Sequence, residues 1–269
     1  MTVDISDLAL FLFVPADRPE RFPKAAASGA DAIIVDLEDA VAAAAKDAAR
    51  AAMLAAERPA SPAFIRINGV GAPWHDADVA AAAQWRPDGV VLPKAESAAD
   101  IESLRARLPA GMTLIALIES ARGLPAARDI AAVSDRLAFG SIDFAADLGC
   151  AHGRDALLLA RSEIALAARL AGRPAPIDGV TIAIKDDALI EDDARYGAAL
   201  GFGAKLLIHP AQVEPARRGF SPSDEEVLWA EKIVAQAGDG AARAVDGVMV
   251  DLPVLARAQK ILRRRRATP

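Results

Sequence analysis

The sequence holds one cysteine, Cys150, among 269 residues. A lone thiol closes no internal disulfide and makes neither a zinc site nor a redox pair, and a reducing cytoplasm is the expected compartment. Aromatic residues are scarce at 4%, which leaves few ring platforms for sugars and counts against a glycoside hydrolase built on paired carboxylates. Basic charge is not in excess either: 31 Lys and Arg stand against 37 Asp and Glu, for a net charge of -6. Non-specific nucleic-acid binding draws on a positive field that this chain lacks, so a small molecule is the expected partner, with no nucleic acid. Long hydrophobic runs are missing as well. Residues 8–14 are apolar but too short to span a bilayer, and they follow Asp4 and Asp7 instead of basic residues, so they read neither as a signal peptide nor as an anchor, and no membrane partner is expected.

What the chain does have is alternation. Short runs of branched or large apolar residues at 8–14, 32–37, 64–67, 89–92, 114–118, 136–139, 180–184 and 204–208 predict strands. Longer amphipathic segments at 20–28, 42–57, 76–85, 98–108, 124–133, 155–171, 187–200 and 224–237 predict helices between and after them. Eight such pairs, in a length close to the usual ~250 residues, predict an α/β fold of the (β/α)8 TIM-barrel type. The barrel would occupy residues 1–238, with a C-terminal helical extension over 239–269 that packs on a neighbouring subunit. A doubly wound open sheet would also alternate, but neither Gly69-Val70-Gly71 nor Gly201-Phe202-Gly203 completes a dinucleotide loop or a P-loop.

In such a barrel the strand C-termini converge on one face, which carries the active site. The run Thr113-Leu114-Ile115-Ala116-Leu117-Ile118 ends in Glu119, placing a carboxylate at that mouth. Other strands end in kind, with Asp36, Glu38 and Asp39 after the second, Arg66 and Asn68 at the third, Lys94 and Glu96 after the fourth, Asp143 after the sixth and His209 after the eighth. Glu119 and Asp143 come from neighbouring strands. Paired acids without histidine or cysteine companions suit a hard, oxygen-preferring cation such as Mg2+. Arg66 stands on an apolar strand and needs an anion, either Asp36 or Glu38 from the adjacent strand or a substrate carboxylate or enolate. Lys94 offers another chemistry, a Schiff-base nucleophile in a metal-free aldolase. His75 and His152 match no metal-ligand spacing, and the run of four arginines at 263–266 suits a solvated helix end.

Seven stretches in order make a pattern: Phe13-Val14-Pro15-Ala16-Asp17-Arg18-Pro19-Glu20-Arg21-Phe22, Val35-Asp36-Leu37-Glu38-Asp39-Ala40-Val41, Ile65-Arg66-Ile67-Asn68, Leu92-Pro93-Lys94, Ile118-Glu119-Ser120-Ala121-Arg122-Gly123, Phe139-Gly140-Ser141-Ile142-Asp143-Phe144 and Ile208-His209-Pro210-Ala211-Gln212-Val213. With them the chain resembles the citrate lyase beta-subunit-like branch of the HpcH/HpaI aldolase superfamily, from about residue 11 to about residue 262. The resemblance implies a magnesium-dependent carbon–carbon lyase acting on 3-hydroxyacyl thioesters such as citryl-, malyl- or citramalyl-CoA, yielding acetyl-CoA and a 2-oxo acid. It implies Glu119 and Asp143 as metal ligands and Arg66 as the substrate-binding arginine; by their places at the strand ends, Glu119 is also expected at the substrate and Asp36, Glu38, Asp39 and Lys94 behind it. Ala16 departs from the glycine of many relatives and bears on how closely a CoA phosphate approaches that loop.

The late stretch Gly247-Val248-Met249-Val250-Asp251-Leu252-Pro253 resembles the family's C-terminal motif, whose aspartate reaches the site, often from a neighbouring subunit of a trimer. Asp251 is thereby the candidate for proton transfer, alongside the alternative that it caps the following helix. A homo-oligomer, with a trimer favoured, is expected. A subunit docking an acyl-carrier protein in a citrate lyase complex is the remaining alternative.

Overall fold

The computed structural model describes residues 4–236, 243–245 and 248–267. Eight parallel strands close into a barrel: β1 (Leu10–Pro15), β2 (Ala32–Asp36), β3 (Ala63–Arg66), β4 (Gly89–Leu92), β5 (Thr113–Ile118), β6 (Arg136–Phe139), β7 (Ile177–Asp178) and β8 (Ala204–Leu207), with β8 pairing back onto β1. Helices α1 (Phe22–Ala26), α2 (Lys46–Ala55), α3 (His75–Trp85), α4 (Ala98–Arg107), α5 (Gly123–Val133), α6 (Ser141–Leu148), α7 (Leu158–Leu170), α8 (Asp187–Ala199) and α9 (Val213–Phe220) run between and after them. Beyond the barrel come α10 (Asp224–Gln236), an antiparallel ribbon of β9 (Arg243–Val245) and β10 (Val248–Val250), and α11 (Leu252–Ala267).

Successive strand residues point to opposite faces, and the buried residues divide accordingly. Phe11, Ile34, Phe64, Ile115, Leu117 and Leu206 fill the barrel interior. Leu12, Val35, Ile65, Leu92, Leu114 and Ile118 pack outward against helix residues such as Met53, Ile101, Ile130 and Ile164. The same period of two places the functional side chains. After Ala32 and Ile34 the next inward position is Asp36; after Phe64 it is Arg66; after Ile115 and Leu117 it is Glu119.

The opposite end of the barrel is closed by a buried cation. The Arg136 guanidinium donates to the carbonyl oxygens of Ile5 and Leu8, each at 2.7 Å, and of Ala175 at 2.8 Å, and it lies over the Phe11 ring. Burial without a carboxylate partner pulls its pKa down to about 9.

Three expectations need correction. The seventh strand is not at 180–184 but at Ile177–Asp178, where Ile177 pairs with both Ala138 and Ala204. A side chain at Gly179 would place its Cβ 2.2 Å from Ser141 Oγ, so the chain passes close there and turns out, and Ile182 and Ile184 lie exposed on the rim. The expected helix at 155–171 is preceded by a separate one, α6, which stops at Gly149 in the left-handed region with φ 72°. The helix at 224–237 does not complete the barrel; α9 packs on β1 and β8, whereas α10 pairs with α11. Residue 237 lies outside the described residues. Pro215 sits in the first turn of α9, where a missing N–H costs nothing, and Gly219 permits close approach to α8.

Candidate active site

At the C-terminal end of the barrel a cavity of about 400 Å³ is lined by Phe13, Asp36, Asp39, Arg66, Glu119, Gly140, Ser141, Asp143 and Ile208, among others. Glu119 lies at its floor. Its Oε1 accepts from the backbone N–H of Lys94 at 2.8 Å, while its Oε2 is buried and has no hydrogen-bond partner. Gly140 makes room for this carboxylate, since a Cβ there would meet Glu119 Cβ and Oε2 at 2.4 Å. Burial, then the negative charge of Glu38, push the Glu119 pKa up to about 8; Arg66 opposes the shift and Asp143 adds to it.

Asp143 lies in the first turn of α6, on the strand end beside β5, and lines the same cavity. A buried carboxylate oxygen without a donor is costly to leave so, and a cation satisfies it. Among the described residues no group of three or more His, Cys, Asp or Glu forms a metal cluster. Two carboxylates nevertheless suffice for Mg2+, which keeps waters or substrate oxygens in its remaining positions. The donor set fits that ion.

Arg66 has the ion partners expected of it. Its Nε and Nη2 donate to Asp36 Oδ1 and Oδ2 at 2.8 and 2.6 Å, a two-point pairing, and its Nη1 stands 3.1 Å from Glu38 Oε2 and 3.6 Å from Asp39 Oδ2. The guanidinium lies 4.6 Å from the Phe13 ring centroid. Burial works against its charge, but Asp36 and then Glu38 outweigh that and raise its pKa. Glu38 moves upward too, chiefly by burial, with Arg66 and Lys94 opposing.

Lys94 holds the far side. It has φ 49° without being glycine, and this left-handed backbone turns its N–H onto Glu119. Its Nζ is bonded to Glu38 Oε1. Burial lowers the Lys94 pKa, but the bond and charge of Glu38 outweigh it and the net shift is upward. Such an ammonium is a poor nucleophile, which argues against the Schiff-base alternative. Lys46, a residue the motifs did not single out, donates to the carbonyl oxygens of Leu37 and Glu38 at 2.8 and 2.6 Å and so fixes the loop carrying Glu38 and Asp39.

The other sequence candidates have structural roles. Asn68 donates to Leu37 O and Asp78, and His75 is buried against Asn68 O at 2.8 Å. Glu96 accepts from Ser120, and His209 caps the turn at 210–212. His152 is linked to Ser141 Oγ through Nε2 at 2.9 Å. Asp251 caps α11, its Oδ1 accepting from Val254 N–H at 3.1 Å, and it is not among the described residues that line the cavity.

Comparison with known proteins places this arrangement. Residues 9–210 match the family model of the HpcH/HpaI aldolase/citrate lyase family. The chain belongs to that family of lyases. It is 41% identical over 264 residues to a citrate lyase subunit beta-like protein of Mycobacterium tuberculosis, covering 94% of each chain. It is 35% identical to a (3S)-malyl-CoA thioesterase of Cereibacter sphaeroides, covering 89% of this chain and 88% of the relative. The fold superposes on the crystal structure of protein CitE from Mycobacterium tuberculosis in complex with magnesium, acetoacetate and coenzyme A, with a TM-score of 0.89 and 39% identity over 97% of this chain and 99% of that one.

Proposed function

We propose that this protein is a Mg2+-dependent carbon–carbon lyase that cleaves, or forms, a 3-hydroxyacyl-CoA thioester of the citramalyl-, malyl- or citryl-CoA class, with acetyl-CoA and a 2-oxo acid as the other side of the reaction. One observation carries the reading: Glu119 Oε2 is buried and unpartnered in a cavity shared with Asp143 and Arg66. A solved relative that holds magnesium, acetoacetate and coenzyme A supports both the cation and the thioester.

Glu119 and Asp143 would hold the ion, which when bound supplies Lewis-acid polarisation of the hydroxy-acid oxygens. The chain's own part is positioning and charge. Lys94 N–H fixes Glu119 Oε1 and leaves Oε2 to the cavity. Arg66, locked by Asp36, Glu38 and Asp39, sets a fixed positive charge where cleavage develops an enolate oxygen. Phe13 and the apolar interior below exclude water from that charge.

Proton transfer is assigned to Asp251 of a neighbouring copy, in a homotrimer. Leu159 and Leu170 of α7 are 76% and 64% exposed, and an apolar helix face of that kind is better covered than wet, which supports an oligomer. The single cysteine supports a cytoplasmic setting. Among the described residues no helix is long and apolar enough to cross a membrane.

The test is to incubate the purified protein and Mg2+ with citramalyl-, malyl- and citryl-CoA and with citryl-acyl-carrier protein, following acetyl-CoA, 2-oxo acid and free CoA separately. A 2-oxo acid appearing with acetyl-CoA supports the reading. Free CoA with intact hydroxy acid indicates hydrolysis, and turnover of the carrier-protein thioester alone indicates the citrate lyase subunit role.

A further inference from the structure

A second cavity, of about 350 Å³, opens beside the first. It is bounded by the loop after α6 (His152, Arg154, Leu157), the chain leaving β7 (Val180 to Ala183) and the first turn of α8 (Leu189). Val180 lines both cavities, and the hydrogen bond between Ser141 Oγ and His152 Nε2 joins a residue of one to a residue of the other. Nothing in the lyase chemistry above uses it.

Its walls are of two kinds. Leu157, Val180, Ile182 and Leu189 form an aliphatic side, with Ile182 and Leu189 well exposed for side chains of their type. The other side is cationic and deep. Arg161, on α7, is 7% exposed and stacks over the Phe139 and Tyr196 rings. Its Nε donates to Asp178 Oδ1 at 2.9 Å, but its Nη1 is buried with no hydrogen-bond partner. Lys205, fully buried behind it, donates to Gly179 O at 2.7 Å and stands 4.0 Å from Asp178. Asp178 is therefore shared between two cations, and Arg161, a residue of the cavity wall, keeps one buried N–H without an acceptor. The remaining acid, Asp193, is taken by Arg154 at 2.8 Å and by Thr181 Oγ1 at 2.9 Å. Arg154 also pairs with Asp192 at 2.7 Å, so the one guanidinium at the mouth is committed to two carboxylates, and the N–H without an acceptor is the deeper one, on Arg161.

We propose that this cavity is a second ligand site, separate from the catalytic one, that takes a small carboxylate with a branched aliphatic body. The carboxylate would accept from Arg161 Nη1, and the body would rest on Leu157, Val180, Ile182 and Leu189. A buried guanidinium N–H lacking an acceptor is costly, and an anion that supplies one recovers a charge-assisted hydrogen bond. The apolar wall selects a carboxylate with a hydrocarbon tail over phosphate, whose oxygens would be stranded against it. The Ser141–His152 bond gives occupancy a route to α6, which carries Asp143.

Isobutyrate, its neutral isostere isobutyramide and inorganic phosphate should be titrated into the full-length protein in chelator, with backbone amide NMR as the readout. Isobutyrate is expected to shift the amides of Gly153, Thr181, Ile182 and Ala183 in a saturable way, with isobutyramide and phosphate weaker by about tenfold, the value of one charge-assisted bond. Arg161→Lys keeps the charge beside Asp178 and removes the orphan N–H; it should weaken isobutyrate by a similar factor. Ile182→Trp, a filling change at an exposed position, should abolish the shifts without touching Arg161. The proposal fails if isobutyramide binds as well as isobutyrate, if the shifts fall on the catalytic cavity instead, if Ile182→Trp leaves them intact, or if no saturable shift appears and the orphan N–H is merely hydrated.

Discussion

Lys94 and Glu119 are joined through the backbone of one and the side chain of the other. The Lys94 N–H donates to Glu119 Oε1 at 2.8 Å from a left-handed backbone that a non-glycine residue seldom adopts. That bond spends one carboxylate oxygen on the protein and leaves the other for the cavity.

The first prediction follows from the Glu119 pKa of about 8, raised above its ordinary 4.5. Between those values the folded, metal-free protein holds a proton that the unfolded chain has released. The contribution to stability is complete below about pH 4.5 and is lost as pH rises through about 8. Glu38, also raised, acts in the same direction. In chelator, Tm should therefore fall between pH 5.5 and 8.5. Saturating Mg2+ holds Glu119 ionised and should remove that fall, with metal affinity rising over the same interval. A flat profile in chelator would contradict the raised pKa.

Arg66→Lys is expected to lose about 2 kcal/mol or more of kcat/KM, because a point charge on a flexible stem cannot reproduce the fork held by Asp36 and faced by Glu38. Kinetics should be read beside denaturant unfolding. Asp36 and Glu38 would be left imperfectly paired, so a stability loss is expected too, and an unchanged kcat/KM in a folded variant would make Arg66 a purely structural residue.

Lys94 should form no imine. Borohydride added with pyruvate or oxaloacetate is expected to leave the intact mass unchanged, since an ammonium bonded to Glu38 with a raised pKa is not a free amine. A reduced adduct mapped to Lys94 would reverse the choice between metal and Schiff-base chemistry.

Asp251 caps α11 within its own chain, and Val254, Leu255, Ile261 and Leu262 of α11 pack against Val227, Ala230 and Ile233 of α10. The trans role has its own test. Asp251→Asn and Glu119→Gln chains, each inactive, should regain part of the activity when mixed and allowed to exchange subunits. Exchange without recovery would remove Asp251 from the neighbour's chemistry. Asp251→Ala alone should also cost about 1 kcal/mol of stability as a lost cap, which separates the two roles.

Much of the site was legible because strand period is a strong signal. Once Ile115 and Leu117 face inward, Glu119 must follow, and the same arithmetic gives Asp36 and Arg66. Asp143 was placed by its position after β6, although the helix that holds it was not. What escaped was set by packing. The two-residue β7 is defined by the pairing of Ile177 with its neighbours and by the close approach at Gly179, whereas the apolar stretch after it mimics a strand. The eighth barrel helix hid behind Pro215, which reads as a breaker until it is seen in a first turn. Lys46 and the Ser141–His152 link depend on contacts between distant segments that no local pattern announces.

Glu119 and Asp143 are proposed to hold together the divalent ion on which carbon–carbon cleavage depends. The most direct measurement is the rate of 2-oxo acid release from the preferred thioester as a function of free Mg2+ after exhaustive chelation, for the wild-type protein, Glu119→Gln and Asp143→Asn, with circular dichroism confirming the fold of each. The expected result is no turnover without the ion, saturable recovery in the wild type, and in both folded variants a rate lower by at least about a hundredfold with a Mg2+ requirement shifted upward or beyond reach. Full activity in chelator, or an unchanged Mg2+ dependence in either variant, would contradict it.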